Sequence, residues 1–234
     1  MGFDDFNILG SILRTKARTW VRPREFFISW NGVPTLAYRG FSPVLLEIKK
    51  EIEQEIPGIK PENPGARWPK TTLGALRDGR VLSLQEAGIL RRICTELRPA
   101  VEAETCLEIP QLSVVLFQCR SLERRLLTQS ISLHLDSSSP LDHEPPADHI
   151  RQVDGTMDQF SHARLEEYLP RLQADGNRES HYRKTHIEPT LVFDIGHQQP
   201  KCIASFVETV NRELPGAYIW FQEKSRHMTI RGLV

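Results

Sequence analysis

The spacing of apolar and polar residues near the start of the chain predicts a β-hairpin followed by a helix. Residues 25–38, EFFISWNGVPTLAY, form two short apolar runs on either side of Asn31-Gly32, a dipeptide typical of a tight hairpin turn. Ser42-Pro43 then suits an N-cap followed by the first helical position. Apolar residues recur after it at helical spacing, up to a stop at Pro57-Gly58: Leu45, Ile48, Ile52 and Ile56.

The middle of the chain predicts another helix, a strand and then a linker. The segment 83–97 begins with SLQE, which matches a capping box, and we expect a helix there. The apolar run QLSVVLFQC at 111–119 indicates a strand. Residues 136–157 contain DSSSPLDHEPPADHIRQVDG, which is rich in Ser, Pro and Asp, and they predict a linker or mobile loop.

The last third of the chain repeats the order strand, helix, strand. We expect a short helix in HARLEEYLPRLQ, ending near Pro170, and a strand in THIEPTLVFDIG at 185–196. Pro200 opens a helix that Pro215-Gly216 closes, and AYIWFQ and RHMTIRGLV read as the final strands. The apolar face of this helix consists of Ile203, Phe206, Val207 and Val210.

Two parts of the chain therefore look like an internal repeat. Pro43 and Lys70 are separated by the same distance along the chain as Pro200 and His227, with a helix, a Pro-Gly stop and a loop between them. Aligning the two parts places Lys70-Thr71-Thr72 at the position of His227-Met228-Thr229. The repeat predicts that KTT and HMT occupy equivalent strands.

Alternation along the last strand separates its polar residues from its apolar ones. Successive side chains of a strand point to opposite faces, so we expect His227, Thr229 and Arg231 on one face, and Met228 and Ile230 on the other. Arg231 would then add a second cation beside His227 and Thr229.

These motifs resemble those of the two-histidine phosphoesterase superfamily, which includes RNA cyclic phosphodiesterases related to the bacterial RNA ligase/phosphodiesterase. HMTI at 227–230 is similar to the second His-x-Thr motif, and RWPKTTLGAL at 67–76 looks like the first, with Lys70 in place of histidine. The resemblance is closest over residues 25–76 and 186–234. It implies an α+β fold with two pseudo-symmetric β-α-β lobes, whose antiparallel sheets surround a central cleft.

The resemblance also implies a division of the chain. Residues 1–24 would be an N-terminal extension, 25–135 the first lobe, 136–157 the linker or mobile loop, and 158–234 the second lobe of the same domain.

The implied activity is metal-independent hydrolysis of 2′,3′-cyclic or 2′-5′-linked phosphodiesters of nucleotides or RNA. His227 and Lys70 would be catalytic, Thr72, Thr229 and Arg231 would bind phosphate, and Trp220 is a speculative base-stacking residue. The expected partner is a nucleotide or the phosphate ester at an RNA end, bound by a monomer without metal, cofactor or membrane.

The chemistry of Lys70 leaves alternatives open. A histidine with a pKa near 6.5 serves as acid or base at neutral pH, whereas a lysine with a pKa near 10.4 is a cation and a poor base. Lys70 would therefore bind phosphate or protonate a leaving alkoxide while His227 acts as base. A catalytically inactive nucleotide- or RNA-binding module is the second hypothesis. An unrelated α/β scaffold, with Lys70 solvated at a strand end and Trp220 in the core, is the third.

Composition changes this picture little. The chain has 234 residues, with 30 Lys+Arg and 30 Asp+Glu, so its balanced charge gives no sign of a strongly basic nucleic-acid-binding surface. Four cysteines without a C-x-x-C pair indicate core thiols in a reducing compartment, and the histidines show no metal-ligand spacing. Asp4 and Asp5 argue against a secretory signal, and no apolar run approaches about 20 residues. We expect a cytoplasmic protein.

Overall fold

The computed structural model describes residues 3–62, 67–135 and 143–234 and confirms the predicted α+β class. The helices are α1 (Phe3–Arg14), α2 (Pro43–Glu55), α3 (Leu84–Glu96), α4 (Arg98–Glu102), α5 (Ala147–Asp158), α6 (Leu165–Gln173), α7 (Glu179–Arg183) and α8 (Cys202–Glu213). The strands are β1 (Thr19–Val21), β2 (Pro23–Ser29), β3 (Val33–Tyr38), β4 (Lys70–Thr72), β5 (Gly74–Leu76), β6 (Leu107–Ile109), β7 (Gln111–Phe117), β8 (Arg125–Ser132), β9 (Glu188–Asp194), β10 (Tyr218–Trp220) and β11 (His227–Gly232).

The main sheet is antiparallel and has the strand order β2-β3-β4-β11-β9-β7-β8 in the described part of the chain. Two short antiparallel pairs, β1-β6 and β5-β10, accompany it. The strands β4 and β11 lie side by side at the centre, flanked by β3 and β9. Helix α2 connects β3 to β4, and α8 lies between β9 and β11 along the chain. The two related parts of the sequence thus meet edge to edge in one sheet.

Three short sequence motifs adopt the local structures that they predict. Asn31 and Gly32 have φ angles of 63° and 72°, the left-handed backbone that a tight turn between β2 and β3 requires. The Ser42 hydroxyl accepts a hydrogen bond from the Leu45 amide, which caps α2. Ser83 and Glu86 form the predicted capping box of α3.

One apolar core lies beneath the helix-covered face of the sheet. Phe26 of β2 stacks on Phe206 of α8, with ring centroids 4.2 Å apart. Ile48 and Ile52 of α2 are fully buried in the same cluster, as is Met228 of β11. Burial of these side chains fixes which face of each strand points toward the core and which points away from it.

The predicted linker at 136–157 is wrong over its second part. Residues 147–157 lie in helix α5, which buries Val153 and Met157 in the main core, whereas 136–142 lie outside the described residues. The helix predicted in HARLEEYLPRLQ corresponds to α6. It continues past Pro170, where the prediction placed its end, to Gln173.

From residue 3 onward, the predicted extension 1–24 is packed against the rest of the protein. Leu9 and Leu13 of α1 are fully buried, and β1 pairs with β6. Among the described residues, none of the helices has both the length and the apolar character needed for a bilayer crossing.

Candidate functional site

The pairing of β4 with β11 brings together four of the residues that the sequence predicts. Met228 pairs with Thr71 across these antiparallel strands. One residue to either side, Thr72 therefore faces His227 and Lys70 faces Thr229. All four point away from Thr71 and Met228 and share the other face of these two strands. We call Lys70, Thr72, His227 and Thr229 the central cluster.

The residues between those of the central cluster hold its orientation. The Thr71 hydroxyl is buried and shares a hydrogen bond of 2.9 Å with the Tyr38 hydroxyl. Met228 is fully buried in the core. Turning either strand over would expose Met228 and break the Thr71 hydrogen bond, so the central cluster is fixed on its face.

His227 is held as a neutral imidazole. Its Nδ1–H donates to the Ser225 carbonyl at 2.7 Å, which leaves Nε2 as the nitrogen without a proton. The His227 side chain is half-buried. Burial, which outweighs the hydrogen bond to Ser225, lowers the pKa of His227 to about 4. The ring can therefore accept a proton at neutral pH.

An ion pair lies beside the imidazole. Asp194 is opposite His227 on β9, and its carboxylate accepts two hydrogen bonds from Arg125, at 2.6 and 3.1 Å. The two charges act on the pKa of His227 in opposite directions, since Arg125 lowers it and Asp194 raises it. The Arg125–Asp194 pair occupies this side of the face.

Lys70 lies against an aromatic wall. Its ammonium is 4.1 Å from the ring centroid of Trp68, which is a cation–π contact. Burial lowers the pKa of Lys70 to about 8, although the nearby Glu62 carboxylate opposes this and Lys49 adds to it. The side chain is therefore an ammonium at neutral pH and a better proton donor than an ordinary lysine.

Thr72 and Tyr182 connect the central cluster to helix α7. Burial raises the pKa of Tyr182, and the neighbouring Thr72 hydroxyl opposes that rise. The Tyr182 ring packs on Phe221, with centroids 5.0 Å apart. Helix α7 thus covers part of the face next to Thr72.

A cavity of about 290 Å³ extends from the first-motif side of the central cluster. Lys70 and Thr72 line it together with Trp30, Trp68 and Tyr182. His227 and Thr229 do not line this cavity. The central cluster thus has an open side at Lys70 and a more enclosed side at His227.

The prediction that Arg231 shares the face of His227 and Thr229 is wrong. The register of β11 against β9 shifts between Thr229 and Arg231, which places Arg231 opposite Leu191 on the core side. There its guanidinium donates to the Lys60 carbonyl at 2.6 Å and to Glu53 at 3.0 Å. One extra residue in the strand thus moves Arg231 away from the central cluster.

Trp220 also lies elsewhere. Its indole N–H donates to Asn211 of α8 at 2.8 Å, and its ring contacts Phe206 edge to face at 6.1 Å. It also stacks on Tyr218, 5.5 Å away. Trp220 packs against the core helix, as the alternative interpretation of this residue expects.

A larger cavity of about 670 Å³ is also separate from the central cluster. Lys49, Arg67 and Arg231 line it, but so do Glu53 and Glu62, which pair with two of those cations. Volume alone does not make this cavity the site, because its charges largely compensate one another. In the part of the chain that the structure describes, no three His, Cys, Asp or Glu side chains are grouped to hold a metal.

Several residues near the central cluster could not be predicted from the sequence. Asp194 ends a predicted strand, and only the register of β9 reveals it as the neighbour of His227. Tyr182 comes from a segment without a motif, and Trp30 directly precedes the Asn31-Gly32 turn; both meet Thr72 and Lys70 only through the tertiary fold. No signal in the sequence identifies them.

Comparisons with protein-family models, with curated proteins and with solved structures gave no significant match.

Proposed function

We propose that this protein is a metal-independent phosphoesterase that hydrolyses 2′,3′-cyclic or 2′-5′-linked phosphodiesters of nucleotides or RNA ends. The observation that carries the proposal is the central cluster: a lysine, a histidine and two threonines from distant parts of the chain, on one face of two paired strands. Lys70 and His227 are diagonal across this pair, where side chains are separated by roughly 7–8 Å at their bases. A phosphate group fits between side chains of that reach.

His227 is the general base in this proposal. The hydrogen bond to Ser225 leaves Nε2 unprotonated, and the lowered pKa keeps the ring neutral at pH 7. Nε2 removes a proton from water while the water oxygen attacks phosphorus. A pKa of about 4 makes the ring a weaker base than an ordinary imidazole, so His227 contributes through position and a constant neutral state.

Lys70 is the general acid. As the bond between phosphorus and the ribose oxygen breaks, the ammonium gives its proton to the leaving oxygen. The reaction ends with a protonated His227 and a neutral Lys70, and exchange of one proton with solvent restores both. A lysine with a pKa of about 8 remains protonated at neutral pH, yet it gives up its proton more readily than a solvated lysine does.

The other members of the central cluster bind the phosphate. Thr72 and Thr229 offer hydroxyl donors to the non-bridging oxygens, and the Lys70 ammonium stabilises the charge that develops there. The Tyr182 side chain lies next to Thr72 on this side of the central cluster.

Turnover of 2′,3′-cyclic AMP by the purified protein, with and without EDTA, tests the proposal. We expect chelator-resistant hydrolysis that falls about 10²- to 10⁴-fold in His227→Ala and in Lys70→Ala. His162→Ala and Lys50→Ala are matched controls, because both side chains are exposed and lie outside the central cluster. Their rates should equal that of the wild type. Equal rates in all four variants would exclude the central cluster from catalysis.

The second candidate is a nucleotide- or RNA-binding module without turnover. The presence of lysine where the resembled family has histidine favours it, as does the weak basicity of His227. Binding of 2′-AMP that is lost in Lys70→Ala, with no hydrolysis of the cyclic nucleotide, would support this candidate over the enzyme.

A further inference from the structure

The cavity beside Lys70 differs in character from a simple phosphate site. Its lining combines the aromatic rings of Trp30, Trp68 and Tyr182 with the side-chain amides of Asn177, Gln152 and Gln159. Flat apolar walls with a few amides suit a flat, heteroaromatic group that carries hydrogen-bond donors and acceptors at its edge. Nucleobases have this combination of properties.

We propose that this cavity binds the nucleobase of the ligand, with Trp30 as the stacking surface and the three amides reading the base edge. The inference rests on the proposed function for the position of the phosphate, which would lie at Lys70 and Thr72 where the cavity meets the central cluster. It assigns to Trp30 the role that the sequence suggested for Trp220.

Trp30 is unusual because a large aromatic side chain is left in contact with solvent. It is 55% exposed, although it lies at the turn between two well-buried strands. Arg171 lies over the ring, 5.2 Å from its centroid, but does not itself line the cavity. The indole is thus held in place while part of its surface faces the cavity.

The turn that carries Trp30 is rigid. The side chain of Asn31 donates to the carbonyls of Ala174 and Asp175, at 2.8 and 3.1 Å. The buried Arg178 donates to the Asn31 carbonyl. Gly32 is required at the turn, because its φ is 72° and an added Cβ would lie 2.5 Å from Leu76. A stacking surface fixed in this way loses little entropy when a ligand binds.

The amides are available to a ligand. The Gln159 Oε1 accepts a hydrogen bond from Arg171 at 2.7 Å, so this contact directs the carbonyl toward Arg171 and leaves the NH₂ group to donate elsewhere. Asn177 and Gln152 make no side-chain hydrogen bond to the described residues, and each offers a donor and an acceptor. Paired donors and acceptors of this kind distinguish one base edge from another.

The test is calorimetric binding of 2′-AMP and of inorganic phosphate to the full chain. We expect Trp30→Ala to weaken 2′-AMP binding about tenfold or more, because one stacked base is lost, and to leave phosphate binding unchanged. Asn177→Leu should weaken 2′-AMP binding about threefold to tenfold through one lost hydrogen bond. Gln129→Leu, an exposed amide on β8, is the matched control and should bind like the wild type.

The outcomes separate this inference from the proposed function. If Trp30→Ala and Asn177→Leu bind 2′-AMP as tightly as the wild type, the base site is wrong even when the cyclic nucleotide is still hydrolysed. If both variants lose 2′-AMP binding but neither the wild type nor any variant hydrolyses 2′,3′-cyclic AMP, the base site stands and the enzymatic proposal fails. Absence of 2′-AMP binding by the wild type also overturns the inference. Asn177 is on the surface of the fold, so its variant remains informative if Trp30→Ala unfolds.

Discussion

The two halves of the central sheet share one strand arrangement but differ in what surrounds their motif strands. On the β4 side, Lys70 and Thr72 border an open cavity with aromatic walls. On the β11 side, His227 does not line that cavity, and the Arg125–Asp194 ion pair occupies the space next to it. The two repeats thus have similar strands, but their surroundings differ. Lys70 borders a cavity that could bind a ligand, whereas the surroundings of His227 keep its imidazole neutral.

The pKa shifts of the two residues follow from the same cause. Burial disfavours the charged form of each, so it lowers the pKa of Lys70 to about 8 and that of His227 to about 4. Because the ordinary values differ, the same effect leaves Lys70 protonated and His227 neutral at pH 7. One acid and one base result from a pair of equivalent positions.

Replacing Lys70 with methionine should produce the largest effect and separate stability from activity. Without the proton donor, we expect kcat for 2′,3′-cyclic AMP to fall about 10²- to 10⁴-fold. Because burial disfavours the Lys70 ammonium in the folded state, we expect the free energy of unfolding to rise. Denaturant titration and steady-state kinetics measure the two quantities.

Lys50→Met, on the exposed face of α2, is the control for that substitution and should change neither quantity. A Lys70→Met variant that is both fully active and less stable would show that the lysine has a structural role in place of a catalytic one.

The pH dependence of kcat/KM should reflect the ionisation of both His227 and Lys70. His227 must be neutral, so the rate should fall as the pH decreases through about 4. Lys70 must be protonated, so the rate should fall as the pH increases through about 8, reaching about one-tenth of the plateau one unit above that pKa. In Lys70→Met, the residual activity should lose the upper limb and keep the lower one. An upper limb that persists unchanged would assign it to another group.

Replacing Arg231 should have a smaller effect, because Arg231 lies on the face of β11 opposite to His227. Since the register shift in β11 turns this residue toward Glu53 and the Lys60 carbonyl, Arg231→Met should leave kcat/KM within about twofold of the wild type. The free energy of unfolding should fall by about 1–3 kcal/mol, because the Lys60 carbonyl loses its donor. A large loss of activity at unchanged stability would return Arg231 to the phosphate site.

The sequence is informative where structure depends on neighbouring residues. The turn at Asn31-Gly32, the cap at Ser42 and the capping box at Ser83 each need only a few adjacent side chains, and all three form as expected. The repeat predicted equivalent strands for KTT and HMT, and both segments are strands, although their direct pairing was not part of that prediction. In both parts a helix precedes the motif strand, α2 before β4 and α8 before β11, but β10 lies between α8 and β11.

The remaining features depend on contacts between distant segments. The extra residue in β11 cannot be seen without its partner β9, so Arg231 was assigned to the wrong face. In 147–157, the Pro- and Ser-rich flank obscured the helical spacing of Val153 and Met157, which the core then buries. The cavity at Trp30 forms only when four parts of the chain meet, within 27–33, 68–72, 152–159 and 177–182.

A double-mutant cycle on Lys70 and His227 tests the central claim most directly, because it asks whether two residues from different halves act on one phosphate. We expect the Lys70→Ala/His227→Ala protein to hydrolyse 2′,3′-cyclic AMP with a kcat/KM close to that of the weaker single variant, as found for residues that act as a unit. Losses that multiply in the double variant, or single variants as active as the wild type, would contradict a shared site.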